Sequence, residues 1–120
     1  MISINSYFSP FRLEPRDRKP VELAVELVNR YGKEKNLNVE VSLSRGLSFD
    51  LGGFKGIEKM RIDGMKPMES KKIYFSIYAK PFIESGEHPI QIKVKEQMEG
   101  YADPRYIAKE FTKNMELKVK

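Results

Sequence analysis

The sequence predicts an all-β protein: a two-sheet antiparallel sandwich of about seven strands with a short helix inserted between the last two. Three observations predict it. Apolar and polar residues alternate with a period of two in Val21-Leu23-Val25-Leu27, Leu37-Val39-Val41-Leu43, Ile73-Phe75-Ile77 and Ile90-Ile92-Val94. Turn-forming residues separate these runs, among them Gly32, Asp63-Gly64, Pro67 and Gly86. Each run keeps one polar face, and such clean alternation belongs to antiparallel sheets with one wet side. A small barrel is the rival arrangement.

Taken in order, Ile2 to Leu13 reads as one edge strand kinked at Pro10, because proline cannot donate to a ladder. Glu14 to Pro20 is a polar, proline-bounded loop. The strand from Val21 ends at Asn29-Arg30-Tyr31-Gly32, and the charged turn Lys33 to Asn36 leads into the strand from Leu37 to Leu43. Arg45 to Gly56 carries four glycines with Phe49, Leu51 and Phe54, and reads as a long loop or a short bulged edge strand. Lys59 to Asp63 alternates and closes at Asp63-Gly64. A turn at Met65 to Ser70 precedes the strand Lys71 to Tyr78, and a loop ending Gly86-Glu87-His88-Pro89 precedes Ile90 to Lys95. Asp103-Pro104 pairs an N-cap residue with proline at the first helical position, so a short helix is expected over 103–110. Met115, Leu117 and Val119 mark the last strand.

A chain of 120 residues, 40% hydrophobic and 32% charged, is expected to form one globular domain over 1–120. The absence of cysteine rules out disulfides and thiolate metal sites, and fits a reducing compartment or a hot habitat. Met1 to Asn5 shows no basic segment followed by an apolar run, and no apolar stretch of about 18 residues occurs anywhere. A complete chain of this kind is expected in the cytoplasm; a piece of a longer secreted protein would be extracellular.

The segment from Val21 to Asn29, the glycine that follows, the second alternating strand, the turn with Glu69-Ser70, the strand Ile73 to Tyr78 and Gly86 before Ile90 to Val94 together resemble the CARDB group of immunoglobulin-like domains. These are adhesion-related modules of bacteria and archaea, and the resemblance spans about residues 20–95. Met68 stands where that group commonly has glycine. The resemblance implies an immunoglobulin-like sandwich acting as a non-catalytic binding or spacer module. It carries no site residues.

Constellations for catalysis are thin. His88 is the single histidine, and neither a Gly-x-Ser-x-Gly elbow nor a phosphate-binding loop accompanies it. Zinc needs several His or Cys ligands, so no metal or other cofactor is expected. Glu96, Glu99 and Asp103 lie close in sequence and could serve acid–base chemistry or hold a hard cation, but solvated loop carboxylates are the expected reading.

Surfaces say more. In a sandwich of this connectivity the loop after the strand of Val21 and the loop between the last two strands share an end. Tyr31, Tyr101, Arg105 and Tyr106 gather there, and Tyr and Arg are residue types enriched at binding hot spots. That tip is the expected contact for another macromolecule, with a protein as the expected partner. Lys93, Lys95, Lys118 and Lys120 share one outward face and offer an alternative, anion or nucleic-acid binding, although a solvated face with ion pairs explains them too. A structural or self-associating subunit is the third reading. Phe49, Leu51, Phe54, Phe82 and Ile83 meet at the opposite end, where a satellite core is expected and an exposed patch is the alternative. Tyr74 and Tyr78 share a face that either stabilises the sheet or stacks a sugar.

Overall fold

The computed structural model describes residues 1–98 and 107–120. Nine strands appear among them: β1 (Ile2–Ser9), β2 (Arg12–Leu13), β3 (Val21–Asn29), β4 (Lys35–Leu43), β5 (Leu47–Ser48), β6 (Ile57–Met65), β7 (Ser70–Ala79), β8 (Gly86–Gln97) and β9 (Ile107–Val119). They form two sheets, β1-β3-β7-β5 and β2-β9-β8-β4-β6. All pairings are antiparallel except β2 with β9. The rest of β9's outer edge, from Ile107 to Leu117, has no strand beside it among the described residues.

The alternating residues face as expected. Leu23, Val25 and Leu27 of β3, Leu37, Val39 and Val41 of β4, Ile77 of β7 and Ile90, Ile92 and Val94 of β8 fill the space between the sheets. Each fully buried aliphatic side chain stabilises the fold by about 1.5–3 kcal/mol by leaving water. Phe49 and Phe75 pack at the margin of this core with ring centroids 5.8 Å apart and planes tilted by 52°. Such tilted pairs add to plain area burial.

Four expectations are corrected. The predicted kinked edge strand is two strands in different sheets, because Pro10 and Phe11 carry the chain from one layer to the other. With the two-residue β5 added on the other edge, about seven strands become nine. The helix expected over 103–110 is absent where it is described: residues 107–110 belong to β9, and 103–106 lie outside the described residues. There Ile107, Lys109 and Glu110 pair with Gln97, Glu96 and Lys95 of β8, so cross-strand pairing sets the conformation of 107–110. Finally, β6 does not close at Gly64. It continues to Met65 with Gly64 at φ +63°, and Gly64 N–H donates to Asn36 Oδ1 at 2.8 Å beside a register shift in β4. That backbone angle suits glycine.

The registers define the two ends. Ile2 lies opposite Asn29, Leu37 opposite Glu96, Lys35 opposite Met65 and Gln97 opposite Ile107, so the turns at 30–34 and 66–69, the end of β8 and the start of β9 share one end, called here the Asn29 end. Ser9 opposite Glu22, Leu47 opposite Ala79 and Gly86 opposite Val119 place the segments 10–20, 44–56 and 80–85 at the other, the Leu51 end.

Candidate functional site

At the Asn29 end two polar side chains, Asn29 and Glu96, are turned inward. Asn29 is fully buried at the end of β3. Its amide donates to Met65 O at 2.8 Å and Lys33 O at 3.0 Å, and its Oδ1 accepts Tyr31 N–H at 2.9 Å. Its backbone accepts from Met68 N–H and donates to Glu69 O, so one residue ties together the turns on either side. Met68 occupies the left-handed region at φ 62°, a conformation that suits glycine better than a side chain with a Cβ.

Glu96 belongs to the same cluster. Only 2% of it is exposed, so the expected solvated loop carboxylate is instead an interior residue of β8. The inward parity of Ile90, Ile92 and Val94 continues to position 96, and that signal is readable in the sequence. Tyr31 Oη donates to Glu96 Oε2 at 2.7 Å, and Lys35 Nζ lies 3.6 Å from Glu96 Oε1. The same ammonium stands 4.4 Å from the Tyr31 ring centroid. The hydrogen bond to Glu96, burial and the carboxylate charge push the Tyr31 phenol up to about 12. Tyr31 is therefore half-buried against the core, with its ring and hydroxyl engaged by Lys35 and Glu96. The other three residues of the expected tip, Tyr101, Arg105 and Tyr106, lie outside the described residues.

Of the four lysines of the alternative surface, Lys93, Lys95 and Lys118 share a strand parity, but the register separates them. Lys93 and Lys95 oppose Thr112 and Glu110, whereas Lys118 opposes Glu87 near the Leu51 end, and Lys120 follows β9 there. Carboxylates are interleaved: Glu40 lies opposite both Lys93 and Lys59, and Glu110 is 3.9 Å from Lys93. Glu116 and Glu87 share a hydrogen bond on this face, which raises the Glu116 carboxyl above the usual range. On the outer face of the other sheet, Tyr7 and Tyr74 oppose Ala24 from either side, a row that only the strand order reveals. Tyr78 points off the same face but belongs to a cleft at the Leu51 end.

That end presents the three most exposed apolar side chains among the described residues, Phe54, Leu51 and Phe11, with Phe82 beside them. Phe54 is 92% exposed, Leu51 72%, Phe11 69% and Phe82 62%. The expected satellite core is thus split: Phe49 and Ile83 pack on the main core, while Leu51, Phe54 and Phe82 project outward. The turns that project them are built, not slack. Asp50 Oδ1 accepts from Phe54 N–H at 3.0 Å and Lys55 N–H at 2.9 Å, Gly53 at φ +78° donates to Asp50 O, and Phe49 N–H donates to Lys55 O at 2.7 Å. In the neighbouring turn Ile83 N–H donates to Lys80 O, and Lys80 N–H donates to Gly46 O. Gly46 must be small there, since a Cβ would stand 2.8 Å from Ile83 Cγ1. Between the turns lies a cleft of about 520 Å³ lined in part by Arg16, Arg18, Lys19, Leu51, Tyr78 and Lys80.

His88 sits nearby with Nε2 at 2.7 Å from Glu84 O. Among the described residues no group of three or more His, Asp or Glu side chains is placed to hold a metal, and no helix is long and apolar enough to cross a membrane.

No protein-family model matches the chain, and no curated protein matches it by sequence. Solved structures match by fold. A FixG-related protein from Vibrio parahaemolyticus superposes with a TM-score of 0.61 at 12% identity, covering 99% of this chain and 96% of that one. Alpha-2-macroglobulin from Escherichia coli, from domain MG7 to its C-terminus, superposes with a TM-score of 0.66 at 16% identity, covering all of this chain and 16% of that one. A cryo-EM reconstruction of the native E. coli protein gives 0.64 at 16% identity, and this chain spans 6% of its length. The fold is an immunoglobulin-like β-sandwich. Likeness at these identities extends to the fold alone.

Proposed function

We propose that the protein is a non-catalytic docking module, a CARDB-like sandwich that engages a macromolecular surface through its Leu51 end. One observation carries the reading: the Asp50 carboxylate accepts from the backbone N–H groups of Phe54 and Lys55, ordering a turn on which Phe54 stands 92% exposed. Leu51, Phe11 and Phe82 stand exposed at the same end. Leu51, Phe54 and Phe82 on hydrogen-bonded turns, with Phe11 beside them, cost solubility and are not part of the core, so a contact that covers them is the economical explanation. The immunoglobulin-like fold suits this role, because a rigid sandwich presents loops in fixed positions.

The test compares the parent with a Leu51→Ser/Phe54→Ser/Phe82→Ser variant immobilised on beads and exposed to a total extract of cells with membranes included. All three positions are exposed, so each change is expected to alter stability by no more than about 0.5 kcal/mol, checked by thermal melting. The expected outcome is protein, nucleic acid or lipid retained by the parent and lost by the variant. Equal retention by both, or none by either, would overturn the proposal.

A further inference from the structure

The partner's chemistry follows from what surrounds the apolar tips, and this inference rests on the docking reading above. Segments 10–20, 44–56 and 80–85 with Lys120 carry eight basic and four acidic residues, so most of the chain's net +5 sits at this end. The carboxylates with described partners there are engaged: Asp50 holds its own turn, and Glu14 lies 3.6 Å from Lys120. Cations meanwhile stand beside the apolar tips. Arg12 lies 5.2 Å from the Phe11 ring centroid, Lys80 lies 6.0 Å from that of Phe82, and Arg16, Arg18, Lys19 and Lys80 share the cleft with Leu51.

We propose that the Leu51 end docks on an anionic lipid surface. Phe54, Leu51, Phe82 and Phe11 enter the interfacial layer, and Arg16, Arg18, Lys19 and Lys80 meet the phosphates. The arrangement favours a bilayer over the other macromolecules. A protein interface has a contiguous apolar centre with a polar rim, whereas here the apolar side chains stand on three segments, Leu51 with Phe54 on one turn, Phe82 on a second and Phe11 between β1 and β2, with cations among them. A nucleic-acid surface stacks bases on aromatic faces along a basic groove, which leaves the exposed aliphatic Leu51 without a role. A lipid interface accepts apolar and aromatic side chains singly at headgroup depth and rewards each nearby cation. Neither term alone holds a protein on a membrane; together they provide the two signals that reversible anchoring requires.

The experiment is co-sedimentation of the full chain with phosphatidylcholine vesicles and with vesicles in which roughly a third of the lipid is phosphatidylserine. The parent is expected to sediment with the second kind only. Leu51→Ser/Phe54→Ser/Phe82→Ser and, separately, Arg16→Ala/Arg18→Ala/Lys19→Ala/Lys80→Ala should each weaken binding on the order of tenfold or more. The chain has no tryptophan, so Phe54→Trp supplies a single reporter at an exposed position. Its emission should shift to the blue and be quenched by brominated acyl chains when the anionic vesicles are added. Sedimentation without quenching would overturn insertion of the tip and the proposal with it. No sedimentation, while beads still retain protein or nuclease-sensitive material through the same apolar residues, would overturn the lipid assignment and leave the docking reading standing. No capture in either assay would end both.

Discussion

Tyr31 and Glu96 show how one buried carboxylate is made tolerable at the margin of an apolar core. Burying a carboxylate alone is costly, and here a phenol donates to one oxygen and an ammonium stands by the other. Removing the phenol leaves the charge half-satisfied, so Tyr31→Phe is expected to cost about 1–3 kcal/mol in urea unfolding. The pair also sets an alkaline limit. The Tyr31 phenol is raised from 10.0 to about 12 in the folded protein. The folded state therefore holds this proton more tightly, and the stability it contributes is complete below pH 10 and fades as the pH rises through about 12. Unfolding midpoints measured across that window should fall for the parent and fall less for Tyr31→Phe. Met68 is the second residue with a defined cost. A non-glycine residue at φ 62° is strained, and this side chain is exposed, so little is lost by removing it. Met68→Gly is expected to raise stability by about 0.5–1 kcal/mol, since relief of left-handed strain exceeds glycine's extra chain entropy. A lower unfolding midpoint in the variant would refute this account of the turn.

Among the elements, β9 carries the greatest hazard and β5 the clearest consequence. The outer edge of β9 is unpaired from Ile107 to Leu117 among the described residues, a template for another strand. Its inward positions include Phe111 and Met115, but also Lys113, which lies opposite the buried Ile92. A charge on the inner face of an edge strand deters sheet extension, because an added strand would have to bury it. Lys113→Val should therefore produce concentration-dependent oligomers by light scattering while the parent's state is unchanged. β5 draws the β4–β6 connection over to the other sheet, with Leu47 opposite Ala79 and Ser48 opposite Tyr78. That short pairing fixes the root of the turn that projects Leu51 and Phe54. The sequence allows a short edge strand there, and its glycines mark the bends; the partner strand is set by tertiary packing.

At the scale of the whole molecule the two ends have opposite character. The Asn29 end is knitted by buried polar groups, with Asn29 and Glu96 at its centre. The Leu51 end is basic, apolar at its tips and open. The same sandwich thus separates a closed polar seal from a presenting surface, about 48 Å being its longest extent. The sequence suggests Tyr31 as a contact and Phe54 as part of a satellite core, whereas Tyr31 packs against the core and Phe54 is exposed. Local composition does not distinguish these cases. Tyr31 is drawn inward by a carboxylate 65 residues later in the chain, and Phe54 is held outward by hydrogen bonds within its own turn.

What the sequence determined by itself is the side of each strand that faces the core. Side chains alternate along a strand, so Leu23, Val39, Ile77 and Ile92 declare their burial without reference to any neighbour, and the same parity extended to Glu96 reveals its inward aim. The glycines of 45–56 likewise mark a loop or short edge strand, and Gly46 and Gly53 stand there at a close approach and a left-handed turn. Only the tertiary structure decided which strands are neighbours and in what register. It split 2–13 between two sheets, extended β9 through residues expected to be helical, spread the lysines along their face and set Tyr7 and Tyr74 on either side of Ala24. The reason is physical: alternation is a property of a few consecutive residues, whereas pairing depends on which distant segments bury the most apolar surface for the loops they must close.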